Sequence, residues 1–140
     1  MKKSKVSSRQ LRAVELRDGE SIRAAWVGGI AHGGTSNLTK IGGTLVLTDE
    51  RVIFRPVKVP IGLIRWGDQR WIDGYGFSLS LDEVVDVAVD PVRRAALVIR
   101  SADESIVINI GYSRLTPMWS KKNVVARDDA VARIAEAIGR

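Results

Sequence analysis

Between positions 55 and 75 the chain interleaves four cations, Arg55, Lys58, Arg65 and Arg70, with the rings of Trp66, Trp71 and Tyr75. Guanidinium and ammonium groups attract anionic headgroups, each contributing about 1 kcal/mol near a charged bilayer. Indole rings settle at headgroup level because they are amphipathic. With Lys40 added, the candidate surface for anionic phospholipid comprises Lys40, Arg55, Lys58, Arg65, Trp66, Arg70 and Trp71. The plainer reading folds both tryptophans back over the core and leaves the arginines as solvated charges. The same mixture can stack on single-stranded nucleic acid and neutralise its phosphates. No RNA-recognition, zinc-finger or helix-turn-helix pattern accompanies it, so nucleic acid ranks third among the partners.

Bond-breaking chemistry finds little to work with. The 140 residues contain no cysteine and one histidine, which excludes disulfides, thiolate metal centres, cysteine nucleophiles and multi-histidine metal sites. That histidine, His32, lies in a glycine-rich stretch with no nucleophile to serve. The acidic pairs Asp82-Glu83, Asp103-Glu104 and Asp128-Asp129 fall at expected turns and at a helix start, where short acids are favoured locally. GGTSNLTKIGG at 33–43 has glycines, hydroxyls and Lys40, yet lacks the G-K-[ST] ending of a phosphate-binding loop. The expectation is a non-enzymatic chain with no cofactor and no metal.

The formal charge of +6 is unevenly placed. Positions 1–70 hold 13 basic and 6 acidic residues, whereas 71–140 hold 9 and 10. Residues 1–10 read as a disordered basic arm, and 11–140 as a single domain with an insertion at 57–76. The polar run after Lys5 does not resemble a secretory leader, and no apolar run is long enough for a transmembrane helix. A cytoplasmic location, peripheral at the inner face of the membrane, is the expectation.

The elements that must position this surface are mostly strands. QLRAVELRDGE suggests a short helix ending at Gly19, with Leu11, Val14 and Ile22 as its apolar contacts. SIRAAWVGGIA alternates as a first strand, and 32–43 reads as a long flexible loop. GTLVLT and RVIFRP flank Asp49-Glu50 as a tight hairpin, and Pro56 stops its second strand. Within it Gly43 allows a bend, Leu45 and Leu47 share a face, and Phe54 fills core volume. Strands follow at 77–81 and 84–89, then AALVIRS and SIVINI form a second hairpin around 102–104. In RDDAVARIAEAIGR, Val131, Ile134, Ala135 and Ile138 recur at helical spacing, with Asp128 or Asp129 as cap and Gly139 as terminator. This is a mainly β chain of about seven strands, a bent antiparallel barrel or sandwich capped by one C-terminal helix.

This order of elements resembles a GRAM-type or bacterial pleckstrin-homology-like (PH-like) domain. The resemblance rests on GTLVLTDERVIFRP at 43–56, LSLDEVVDVAVD at 79–90, LVIRSADESIVINI at 97–110 and the closing helix, and covers about residues 16–139. Upstream, Leu16, Gly19, Glu20 and Ile22 are similar to the leucine–glycine–glutamate lead-in of such domains. The resemblance implies a binding module in a bacterial cytoplasm, with a headgroup pocket beside the first two strands that would use Arg23, Lys40 and Arg55. The chain departs from that pattern because 29–43 contains one lysine rather than a basic cluster, which argues for charge-driven rather than stereospecific binding. The rival reading is a protein-interaction or assembly adaptor, including self-association. Trp119, beside Met118, is expected to pack beneath the helix.

Overall fold

The computed structural model describes residues 14–31, 40–56, 76–113, 116–117 and 119–139, together with Val6 and Leu11. Among the described residues there are seven strands: β1 (Ile22–Ala31), β2 (Lys40–Thr48), β3 (Arg51–Pro56), β4 (Phe77–Ser80), β5 (Val84–Val89), β6 (Ala96–Ser101) and β7 (Ser105–Gly111). Among the described residues the long helix is α1 (Lys121–Ala137), which follows β7. All strand pairs are antiparallel, in the order β4-β3-β2-β1-β7-β6-β5. The sheet consists of two meanders, β1–β4 and β5–β7, joined where β7 returns to β1. Among the described residues β4 and β5 are the two edge strands of the sheet, which bends around its core without closing into a barrel.

Alternation decides which side chains are buried. Trp26, Leu45, Leu47, Val52 and Phe54 point into the main core with Leu97, Ile99 and Ile108. The intervening Val46 and Ile53 face the other way, and Val14 covers them. The short helix expected over 10–20 does not run through 14–20, which are not helical; Leu11 is helical, and residues 10, 12 and 13 lie outside the described residues. Gly19 turns the chain there at a φ of 80°, a conformation that glycine adopts without a Cβ penalty. The expected loop at 32–43 is also shortened, because Lys40–Gly43 already belong to β2 and pair with β1.

The helix begins earlier than its acidic pair suggested. Ser120 is the cap, its side chain accepting a hydrogen bond from the Lys122 backbone N–H at 3.2 Å. Asp129 instead lies inside α1 and is buried: it accepts the indole N–H of Trp26 at 3.2 Å and Nε of Arg133 at 2.9 Å. The seam against the sheet is Ala126, Ala130 and Ile134, all fully buried, with Val131 and Ile138 only partly covered. Two alanines let the helix backbone approach the strands closely, which rotates the expected stripe. Gly139 ends the helix as expected, with a φ of 80°.

Candidate functional site

Strand register brings two chain segments to one end of the sheet. Ala31 pairs with Lys40, Gly43 with Pro56, and Phe54 with Phe77. Residues 32–39 and 57–75 therefore leave and rejoin the sheet at that end. Arg55 stands beside it on β3, opposite Thr44 and facing away from the main core. It is exposed, and among the described residues it makes no ion pair or side-chain hydrogen bond.

Its position is enforced by packing. A Cβ on Gly43 would lie 2.4 Å from the Arg55 carbonyl oxygen and 2.6 Å from the Phe54 ring. Only glycine at that position lets β3 come this close. Behind Arg55 the rings of Phe54 and Phe77 stack with centroids 6.2 Å apart, fixing β4 against β3. Arg55 lines an open groove of about 380 Å³ with Val14, Ile53, Pro56 and Phe77.

A second arginine in that groove is already committed. Arg51 donates from Nε to Glu20 Oε2 at 2.8 Å and from Nη2 to Oε1 at 2.9 Å. The same guanidinium reaches the Glu15 carbonyl at 2.7 Å and Ser78 Oγ at 3.0 Å. Thr48 Oγ1 adds a 2.6 Å bond to Glu20 while accepting the Glu50 and Arg51 backbone N–H groups across the hairpin turn. The Arg51 hydrogen bonds hold the Glu20 carboxyl at about 2, well below its ordinary 4.5, and they outweigh the opposing effect of burial. In the sequence, Glu20 and Thr48-x-x-Arg51 stood out only as family-like positions. Their pairing joins the segment before β1 to β2, β3 and β4, so it belongs to the scaffold.

The seven candidates of the lipid surface are placed unequally. Arg55 and the strand position of Lys40 lie at the same end of the sheet, four residues apart in β2 numbering, about 13 Å at a strand rise of 3.3 Å. Lys58, Arg65, Trp66, Arg70 and Trp71 fall outside the described residues, as do Tyr75 and His32. Arg23 does not join Lys40 and Arg55. It sits at a register irregularity between the Ile22–Thr48 and Ala24–Leu47 pairs, at the far end of the β1–β2 ladder. There it lines a separate cleft of about 370 Å³ that Asp49, Arg133 and Glu136 also line.

Sequence reasoning also missed an exposed aromatic. Trp119 is 72% exposed rather than packed beneath α1. The reason is local: Ser120 caps the helix, so Trp119 lies one residue outside it, on the connection from β7. Its carbonyl accepts a 2.8 Å hydrogen bond from Arg94 Nη2 in the β5–β6 turn. The sequence marker was the P-x-x-S step before the helix, which fits a cap at Ser120 better than one at Asp128.

Among the described residues, no His, Asp and Glu cluster could hold a metal ion, and no helix is long and apolar enough to cross a membrane. No family model matches the chain, and no curated protein sequence does. Solved structures do resemble it. The C-terminal domain of an unknown protein from Leishmania infantum is 15% identical, with a TM-score of 0.56 and 88% of each chain covered. The hSac2 domain of the human phosphoinositide phosphatase Sac2 is 10% identical, with a TM-score of 0.57, covering 89% of this chain and 76% of that one. The Vps36 N-terminal PH domain is 19% identical, with a TM-score of 0.46, covering 84% and 86%. These are likenesses of fold.

Proposed function

We propose that the chain is a non-enzymatic, GRAM-type binding module that associates peripherally with anionic membrane lipid through the end of the sheet marked by Arg55. The carrying observation is Arg55 itself: exposed, without a partner among the described residues, and held by the Gly43 close approach. Lys40 begins the neighbouring strand at the same end. The segment holding Lys58, Arg65, Trp66, Arg70 and Trp71 is tethered there by Pro56 and Gly76. The hSac2 domain comes from a protein that acts on phosphoinositides, so this scaffold occurs in a protein that handles an anionic lipid. The location that goes with this reading is the cytoplasm, peripheral at the inner membrane face, the leaflet in which anionic lipid is concentrated.

Co-sedimentation of the full chain with vesicles of phosphatidylcholine and rising phosphatidylserine tests the reading. Bound fraction should increase with phosphatidylserine and fall with salt. Arg55→Glu removes one attraction and adds one repulsion of about 1 kcal/mol each, a weakening of roughly 30-fold. Arg65→Glu/Arg70→Glu should abolish binding. No binding even to pure phosphatidylserine vesicles would sink the reading. A protein partner or second copy at the same surface is the alternative, favoured by β4, which borders the groove as a sheet edge among the described residues. A concentration-dependent mass in light scattering without vesicle binding would select it.

A further inference from the structure

At the opposite end of the sheet, the β5–β6 turn and the residues before α1 expose a second apolar and basic patch. We propose that this patch docks an acidic segment of another protein. Val92 at the tip of the turn is 86% exposed and Trp119 is 72% exposed, more than any other large apolar side chain among the described residues. The Arg94–Trp119 hydrogen bond ties their two segments together. Tryptophan and arginine are the residues most enriched at binding hot spots, because both bury large area and offer oriented donors.

The turn is preformed rather than loose. Asp90 Oδ2 accepts the Arg93 backbone N–H at 2.7 Å, and the Asp90 N–H donates to the Ala96 carbonyl at 3.0 Å. Ala95 sits at a φ of 58°, in the left-handed region that residues with a Cβ rarely adopt. It is held there while buried, and its carbonyl accepts the Ile110 N–H at 2.8 Å. A strained residue persists only where its surroundings over-determine it, and such residues cluster at ligand clamps and other functional sites. A rigid tip also loses little conformational entropy when a partner binds.

Charge chooses the partner. Arg94, which bonds the Trp119 carbonyl, and Lys121 and Lys122, which follow Trp119 at the start of α1, are exposed, with Lys122 Nζ 5.3 Å from the centroid of the Tyr112 ring. The neighbouring acid, Asp90, is buried and turned inward onto Arg93. The outward field is therefore positive beside two apolar anchors, which complements a segment with Asp or Glu flanking an apolar side chain. A rigid domain can lay only one end on a flat bilayer. The choice of protein over lipid here thus rests on the membrane reading of the Arg55 end.

Panning a phage-displayed library of short random peptides on the full chain, followed by fluorescence anisotropy with the enriched peptides, tests this. Enriched peptides should be acidic with an apolar anchor, and their affinity should fall with salt. Trp119→Ala should weaken binding by about 30-fold or more. Lys121→Glu/Lys122→Glu should weaken it further than added salt does, and Arg55→Glu should leave it unchanged. The Trp119 and Arg55 side chains are exposed, so Trp119→Ala and Arg55→Glu should keep the wild-type melting temperature. No enrichment, enrichment of peptides without net negative charge, or unaltered affinity in Trp119→Ala would overturn the proposal. So would loss of phosphatidylserine-vesicle binding in Trp119→Ala, whereas its loss in Arg55→Glu with peptide binding intact supports two separate faces.

Discussion

Arg51 holds both carboxylate oxygens of Glu20 across 31 positions of sequence, and the Glu20 side chain is completely buried. The pair is bidentate, and its remaining donors go to Glu15 and Ser78. A buried carboxylate that loses its cation stays desolvated and uncompensated, so breaking such a pair costs about 3–5 kcal/mol. Arg51→Met should lower stability by about that amount, read from urea denaturation at pH 7.

Acid should weaken the fold through the same residue. Glu20 titrates at about 2 when folded and near 4.5 otherwise. Between those values the unfolded chain binds a proton that the folded one does not, so acid favours unfolding. The stabilisation is fully present above about pH 5 and is lost as pH falls from 4.5 towards 2. Urea midpoints measured across pH 2–7 should show a step in that window for the wild type. In Glu20→Gln the step should shrink, with a lower plateau at neutral pH; identical pH curves would show that the pair is not formed.

Ile134 is fully buried where α1 meets the sheet. Ile134→Ala removes buried methyl groups and leaves a cavity, a loss of about 3 kcal/mol. A melting temperature lower by roughly 10 °C is expected for a chain of this size. Ile134→Asp should be worse, because it buries an unpaired charge. An unchanged melting temperature would mean that the helix does not pack there.

Asp129→Ala tests the other cross-chain tie. It strands the Trp26 indole N–H inside the core, at a cost of about 1–3 kcal/mol. The melting temperature should fall, and Trp26 fluorescence should shift. Asp129→Asn keeps an acceptor and should recover much of the stability.

Gly43→Ala should damage the fold and the proposed lipid surface together. Its new methyl group meets backbone at 2.4 Å, and backbone cannot swing aside as a side-chain tip can. Overpacking of this kind costs about 1–3 kcal/mol, and it should displace β3 near Arg55. Calorimetry and vesicle co-sedimentation on the same preparation would show both losses; wild-type values in both would refute the close approach.

The strands, the turn at Asp49-Glu50 and the closing helix were legible from the sequence because each depends on neighbours a few positions away. Leu45, Leu47 and Phe54 face inward because the pleat repeats every two residues, and turn chemistry sets where the runs stop. Ile134 was legible for the same reason, at helical spacing. The Glu20–Arg51 pair and the Trp26–Asp129 bond, 103 positions apart, were not, since nothing local brings their partners together. Asp129 looked like a cap because short acids favour helix starts; its tertiary partner in β1 outweighed that preference. Trp119 was misplaced because side-chain type measures the gain from burial but not whether a surface is there to provide it. Tertiary structure also parted Arg23 from Lys40 and Arg55, by fixing the register of β1 against β2. Composition alone placed the excess charge in the first half of the chain, but charge has no direction until a fold aims it. The exposure of Arg55 beside Gly43, and of Trp119 beside Arg94, was decided by strand order and helix capping.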